Sequence, residues 1–201
     1  MNITSLTELR SLYAAPKERA VRKQLAALEE HSCRYISLSP FLVIASGNRQ
    51  FDMDASPRGG QPGFVKVVDH QTLLIPDEPG NNRLDTLENI LETGQVGLVF
   101  MIPGVDETLR VNGSASLSRQ EGHLQFFAGE KRLPRLVIEV KVRAAYLHCA
   151  KAFMRSRLWQ ASSQMPRSCL PTMGEMINHQ TGIDSPPETQ EEMVARYAAD
   201  L

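Results

Sequence analysis

The 201-residue chain predicts a mainly β fold with flanking helices, an antiparallel barrel or sandwich of about six strands. Three observations carry that prediction. Apolar or alternating segments of strand length recur through the middle of the chain, at Phe41–Ala45, Phe64–Val68, Thr72–Ile75, Val96–Ile102, Thr108–Leu117 and Leu136–Leu147. The links between them are mostly short and rich in Gly, Pro, Asn and Asp, which suits hairpins better than βαβ crossovers. Only one helical pattern interrupts the series, and the final third alone turns helical.

Composition sets the outer bounds. Hydrophobic residues make up 42% and charged residues 22%, an ordinary globular balance. The net charge of −1 gives no electrostatic reason to expect nucleic acid or an anionic membrane as a partner. There is no run of about eighteen apolar residues, and the N-terminus MNITSLTELR lacks a basic start followed by an apolar core. These features predict a soluble protein, neither exported nor membrane-spanning. Three cysteines without framework spacing predict reduced thiols in a cytoplasm. At this length a single domain over 1–201 is expected, with an N-terminal helix and a C-terminal helical extension over about 150–201.

In chain order, residues 17–30 place Val21, Leu25 and Leu28 on one face, with Glu18 and Arg22 four apart outside, and predict an amphipathic helix. Phe41–Ala45 reads as a buried strand ended by Ser46-Gly47-Asn48. The Gly-, Pro- and charge-rich stretch 49–63 reads as a loop. Phe64–Val68 and Thr72–Ile75 form a hairpin across Asp69-His70-Gln71. Leu84, Leu87, Ile90 and Leu91 recur at helical spacing, with Asn82 as N-cap and Asp85 as its reciprocal partner. Val96–Ile102 and Thr108–Leu117 flank a Pro103-Gly104 turn, and Gly113 marks a bulge or bend. Residues 120–129 suggest a short helix and Leu136–Leu147 a long strand. Beyond these, CAKAFMRSRLW is a short helix, and Thr172 with Glu175 forms a capping box for a helix ending near Gly182. Pro186-Pro187 opens a last helix whose Met193, Tyr197 and Leu201 form a stripe suited to docking on the barrel or a partner subunit.

Three segments carry residue types suited to a ligand. At 80–83, a helix start with Asn81, Asn82 and Arg83 offers backbone N–H groups and a guanidinium fork to an anion such as phosphate. The same pattern fits a capped surface helix with Arg83 in water. At 56–66, glycines beside Ser56, Arg58 and Lys66 permit close approach of a ligand to backbone, and equally fit an ordinary Gly-Pro loop. At 148–159, Lys151 and Arg155 lie four apart with Trp159 one further turn along, a pattern open to a flat anionic ligand or to a solvated basic face. No HExxH, paired CxxC, GxSxG, Walker or GxGxxG pattern occurs, which argues against zinc, a serine nucleophile and a Rossmann cofactor turn.

Taken in order, FLVIASGN, SPRGGQPGFV, TLLIPDEPGNNRLDTLENIL, VGLVFMIPGVDETLRVNGSASL and HCAKAFMRSRLW resemble the pyridoxamine 5′-phosphate oxidase-related family, closest to its FMN-dependent branch. The likeness spans about residues 20–160, and its most specific parts are the GNNR helix start and the PG…ETLRVNG strand. It implies a split β-barrel that binds FMN at a homodimer interface, with two equivalent flavin sites. Ser56, Arg58, Phe64, Val65 and Lys66 would border the isoalloxazine and ribityl chain. Asn81, Asn82 and Arg83 would hold the phosphate, with Lys66 as a second cation. Thr108 would reach the flavin from the partner chain, and Lys151, Arg155 and Trp159 would close the site. Gly60 stands where relatives often carry aspartate, and the tryptophan–arginine motif that grips pyridoxine phosphate is not present in the same form. The resemblance therefore implies an FMN-dependent oxidoreductase acting on a small-molecule substrate or electron donor that it does not identify. The alternative on the same fold is a flavin-binding or haem-handling module without turnover.

Overall fold

The computed structural model describes residues 2–198. The chain divides into two compact units, Met1–Phe153 and Met154–Leu201. The first begins with α1 (Leu6–Ser11), α2 (Glu18–Arg22) and α3 (Glu30–Leu38), followed by β1 (Phe41–Gly47), β2 (Met53–Gly59), β3 (Lys66–Asp69) and β4 (Thr72–Pro76). It continues with α4 (Asp85–Thr93), β5 (Gln95–Met101), β6 (Thr108–Ser118), α5 (Glu121–Leu124) and β7 (Val137–His148).

The seven strands form one antiparallel sheet in the order β2-β1-β5-β6-β7-β4-β3. Strand alternation explains how it rolls up. Leu42 and Ile44 of β1, Leu98 and Phe100 of β5, Leu109 and Val111 of β6, Val140 of β7 and Leu73 of β4 are all essentially inaccessible and share one core. A sheet whose distant strands feed a single core must curl, giving an antiparallel barrel whose edge strands β2 and β3 do not pair with each other. Each fully buried Leu, Ile or Phe side chain contributes roughly 1.5–3 kcal/mol.

The sheet holds one strand more than the six expected. Residues 53–59 pair with all of β1, from Phe41↔Gly59 to Gly47↔Met53, although Asp, Ser, Pro, Arg and Gly there read as a loop. Pro57 is tolerated because β2 is an edge strand. The helix expected over 17–30 stops at Arg22. Leu25 instead exchanges two backbone hydrogen bonds with Ala145 of β7, at 3.0 and 2.8 Å, and Lys23 Nζ donates to Leu147 O at 2.6 Å. Pairing with β7 wins over helix propensity, leaving Val21 and Leu25 largely exposed and only Leu28 buried. The helix that does pack is α3, unanticipated, which Glu29 caps by accepting from the backbone N–H groups of His31 and Ser32.

Other expectations hold. β3 and β4 form the hairpin, and Pro103-Gly104 occupies a turn closed by Val105 N–H to Ile102 O, with Gly104 at φ +87°. The register shifts between Asn112 and Gly113 as β6 passes β7, where a Cβ on Gly113 would collide with Lys141 O.

In the second unit, α7 (Met173–Thr181) carries the Thr172–Glu175 capping box and ends at Gly182 in the left-handed conformation. α6 (Lys151–Ser156) straddles the division between units. The last helix, α8 (Gln190–Ala198), starts after Thr189 rather than at Pro186-Pro187. Thr189 and Glu192 exchange hydrogen bonds of 3.2 and 2.8 Å there, which locates the cap. Leu201 lies outside the described residues. Among the described residues, no helix is long and apolar enough to cross a membrane.

Candidate functional site

The edge hairpin β1–β2 brings the first two candidate segments together. Along β2, Asp54, Ser56 and Arg58 point to the half-buried face, and Met53, Ala55, Pro57 and Gly59 to the exposed one. Across the ladder, Asp54 faces Ser46, Ser56 faces Ile44, and Arg58 faces Leu42, all three partners buried. The three β2 side chains therefore line the rim of the core where the sheet ends.

Helix α4 covers that rim. Thr86, buried in its first turn, donates its hydroxyl to Asp54 Oδ2 at 2.6 Å, and Ser56 Oγ donates to the same carboxylate at 2.9 and 3.0 Å. One turn later Asn89 Nδ2 donates to the Ser46 hydroxyl at 3.1 Å, and Thr93 donates to Gly47 O at 2.8 Å. A polar seam thus stitches α4 to β1 and β2. Asp54 and Thr86 escaped the sequence reading. The only signal for Asp54 was the two-residue alternation Asp54-Ser56-Arg58, hidden because the segment read as a loop, and Thr86 carried none.

The entry to α4 differs from the expected cap. Asn82 does not cap the helix; Leu84 precedes it in the left-handed conformation with no side-chain hydrogen bond, and Asn82 is itself at φ +59°. These two left-handed residues coil the tip so tightly that the helix begins only at Asp85. Asp85 is not a reciprocal partner of Asn82. Its carboxylate takes Arg83 Nε at 2.8 Å and Nη2 at 3.4 Å, which holds the Asp85 carboxyl below its ordinary range. Asn81 Oδ1 accepts from the Arg83 N–H at 3.0 Å. On the helix itself Leu87 and Ile90 are buried, whereas Leu84 and Leu91 face outward. Arg83 also lies in the field of Asp54, so the tip and the β2 rim are electrostatic neighbours.

Arg58 donates Nη1 to Pro57 O at 2.9 Å and, among the described residues, forms no ion pair. Burial pushes the Asp77 carboxyl up, against the opposing fields of Arg58 and Arg135. Lys66 Nζ is engaged by Glu130 at 2.6 Å and by Gly63 O at 3.1 Å. Phe64 and Val65 send their side chains into the core. Thr108 is buried at the start of β6, opposite His148. The register sets it at the same end of the sheet as Gly59, three strand spacings away, roughly 14 Å. Within one chain it does not meet Ser56.

The third segment departs from expectation. α6 holds Lys151 and Arg155, both exposed, but ends at Ser156. Arg157 is left-handed at φ +52°, so Trp159 is not a further turn along the same helix.

A sequence profile of the pyridoxamine 5′-phosphate oxidase family matches residues 28–149, more than half of the chain. Among solved structures, HupZ from Group A Streptococcus superposes with a TM-score of 0.50 at 14% identity, over 60% of this chain and 93% of that one. An FMN-binding protein from Syntrophomonas wolfei superposes at 0.43 with 12% identity, over 57% of this chain and 78% of that one. An F420 reductase superposes at 0.42 with 11% identity, over 60% of this chain and 98% of that one. No curated protein matches the chain. The match across the α3-to-β7 region, on a rolled antiparallel sheet, places this chain in the pyridoxamine 5′-phosphate oxidase family.

Proposed function

We propose that this protein binds flavin mononucleotide and acts as a cytoplasmic, homodimeric FMN-dependent oxidoreductase on a small-molecule substrate or electron donor. The observation that carries the reading is the Asp54–Thr86 hydrogen bond, which sets the SPRG strand beside the NNR tip although they are distant in sequence. The residues fit the cofactor chemically. Arg83 spends Nε and Nη2 on Asp85, leaving the other edge of its guanidinium for a phosphate oxygen. Asn81 and Asn82 complete that tip, and Arg58 adds positive charge on the rim; Lys66 serves as a second cation only where the ligand displaces Glu130.

Ser56 and the backbone of Phe64 and Val65 border the remainder of the ligand. In this reading Thr108 is supplied by the second copy. Bound flavin supplies hydride and electron transfer, and the protein supplies position and charge.

The sheet supports the dimer. β1 buries Leu42, Ile44 and Ser46 on one face, yet its other face is also apolar, with Phe41, Val43 and Ala45 only partly covered. Across the register lie Ala55, Pro57, Val99 and Met101, continuing that apolar surface. Strands apolar on both faces belong between two layers, and a second copy of the chain supplies the missing one.

The absorbance spectrum of freshly purified protein tests the reading. Flavin bands that bleach with NAD(P)H support the oxidoreductase, and flavin bands inert to every donor favour the binding module. A Soret band favours haem handling, and a colourless protein with no affinity for added FMN overturns the proposal. Arg83→Ala should weaken FMN binding roughly ten- to a hundredfold, the worth of a charge-assisted hydrogen bond; an unchanged dissociation constant removes the phosphate from the tip.

A further inference from the structure

Asp54 decides what Ser56 can offer a ligand. A serine hydroxyl has one proton and two lone-pair directions. Here the proton goes to the Asp54 carboxylate, at 2.9 and 3.0 Å from its two oxygens. The same carboxylate takes the Thr86 proton at 2.6 Å, and Thr86 is buried in the first turn of α4, where it cannot turn to solvent. Ser56 is half-buried on the rim, and among the described residues its oxygen accepts no hydrogen bond. What it presents there is lone pairs, backed by a carboxylate. An oxyanion at that point would meet acceptors and a like charge. A hydroxyl or N–H donor would meet a ready partner.

Resting on the flavin reading above, we infer that Asp54 is a positioning residue that makes Ser56 a hydrogen-bond acceptor. The flavin group seated at Ser56 is then a donor, a ribityl hydroxyl or the ring N–H, while the phosphate stays with Arg83 at the tip. This divides the rim by chemistry. The Asp54–Ser56–Thr86 triad reads the uncharged part of the ligand, and Arg83 reads its charge. A phosphate oxygen could take the Ser56 proton only by leaving Asp54 with Thr86 as its sole hydroxyl partner, beside a dianion.

The test measures dissociation constants of FMN, riboflavin and lumiflavin by flavin fluorescence for the full chain and its S56A, S56T, D54N and R83A variants. S56A should weaken FMN and riboflavin by the same factor, about tenfold, and S56T, which keeps the hydroxyl, should restore both. D54N puts an amide donor against Ser56 and frees its proton to turn outward, so it should weaken both flavins at least as much as S56A. R83A should weaken FMN and spare riboflavin. Lumiflavin then locates the donor: unchanged binding to S56A assigns a ribityl hydroxyl, and a matching loss assigns the ring N–H.

A loss confined to FMN in S56A overturns the inference, because it puts the phosphate on Ser56. It is equally overturned if neither flavin responds to S56A, or if S56T fails to restore them. A wild-type protein that binds none of the three flavins removes the flavin reading itself, and that result is distinguishable from the others. Should D54N fail to fold, the serine series still decides, since Ser56 lies on an edge strand outside the core cluster.

Discussion

The two compact units of this chain are held by opposite means. The sheet unit rests on a core of fully inaccessible side chains, among them Phe100, Ile36, Leu42 and Ile138, contributed by elements distant in sequence. In the second unit neither α7 nor α8 has a buried residue. Its order is short-range: the capping boxes of Thr172–Glu175 and Thr189–Glu192, the Arg196–Glu188 fork at 2.7 Å, and Asn178 Nδ2 to Ser185 O at 2.7 Å. Burial is non-directional and cumulative, so the sheet unit can position a rim to within a hydrogen bond. Caps and exposed pairs each contribute little. The difference explains why the assembled Asp54–Ser56–Thr86 rim belongs to the sheet unit.

That contrast can be broken most forcefully in the core. Phe100→Ala removes a fully buried ring and should destabilise the sheet unit by about 3–5 kcal/mol, read as a lower urea midpoint for tryptophan-independent far-UV signal. A loss below about 1 kcal/mol would mean the core relaxes freely and the contrast is false. Next is Gly113→Ala. Its new methyl would collide with Lys141 O, so β6 and β7 must separate or slip at the bulge. A loss of roughly 1–3 kcal/mol is expected, as for other forced overpacking. The Arg143–Gln95 hydrogen bond, 3.1 Å long and next to that bulge, should weaken with it, visible as a shift of the Gln95 side-chain amide resonances.

The smaller effects sharpen the other side. Thr172→Ala removes a cap and should loosen α7 by about 1 kcal/mol, seen as faster amide exchange there with the sheet amides unchanged. Acid should do the same more gently. The hydrogen bond from the Thr172 backbone holds the Glu175 carboxyl below its ordinary value of 4.5. A depressed folded-state value means the contribution is present above 4.5 and is lost as pH falls through the depressed value. Protection of α7 should therefore persist at neutral pH and decline only in acid, and Glu175→Gln should flatten that decline. If sheet amides lose protection in step with α7, the two units are not stabilised independently.

Legibility followed the range of the interactions. Wherever one short stretch carries its own instruction, the amino-acid sequence settled the matter. The apolar runs of β1 and β5, the long strand β7 with its β-branched core positions, the Pro103-Gly104 turn, the Gly113 bulge and the Thr172–Glu175 cap are all of this kind. The family likeness also lay in local motifs, and the profile match over residues 28–149 bears it out.

Tertiary structure decided what depended on distant partners. Met53–Gly59 is a strand because β1 offers it an edge, and the helix after residue 17 ends early because β7 offers Leu25 one. The tip before α4 coils through left-handed Asn82 and Leu84, not through a cap. The rim itself followed the same rule. Ser56, Arg58 and Arg83 were legible as residue types, but Asp54 and Thr86, which join them, acquire a role only when an edge strand and a helix start are brought within 2.6 Å. Local propensity is a sum over neighbours in sequence, whereas backbone pairing and a shared carboxylate are set by neighbours in space.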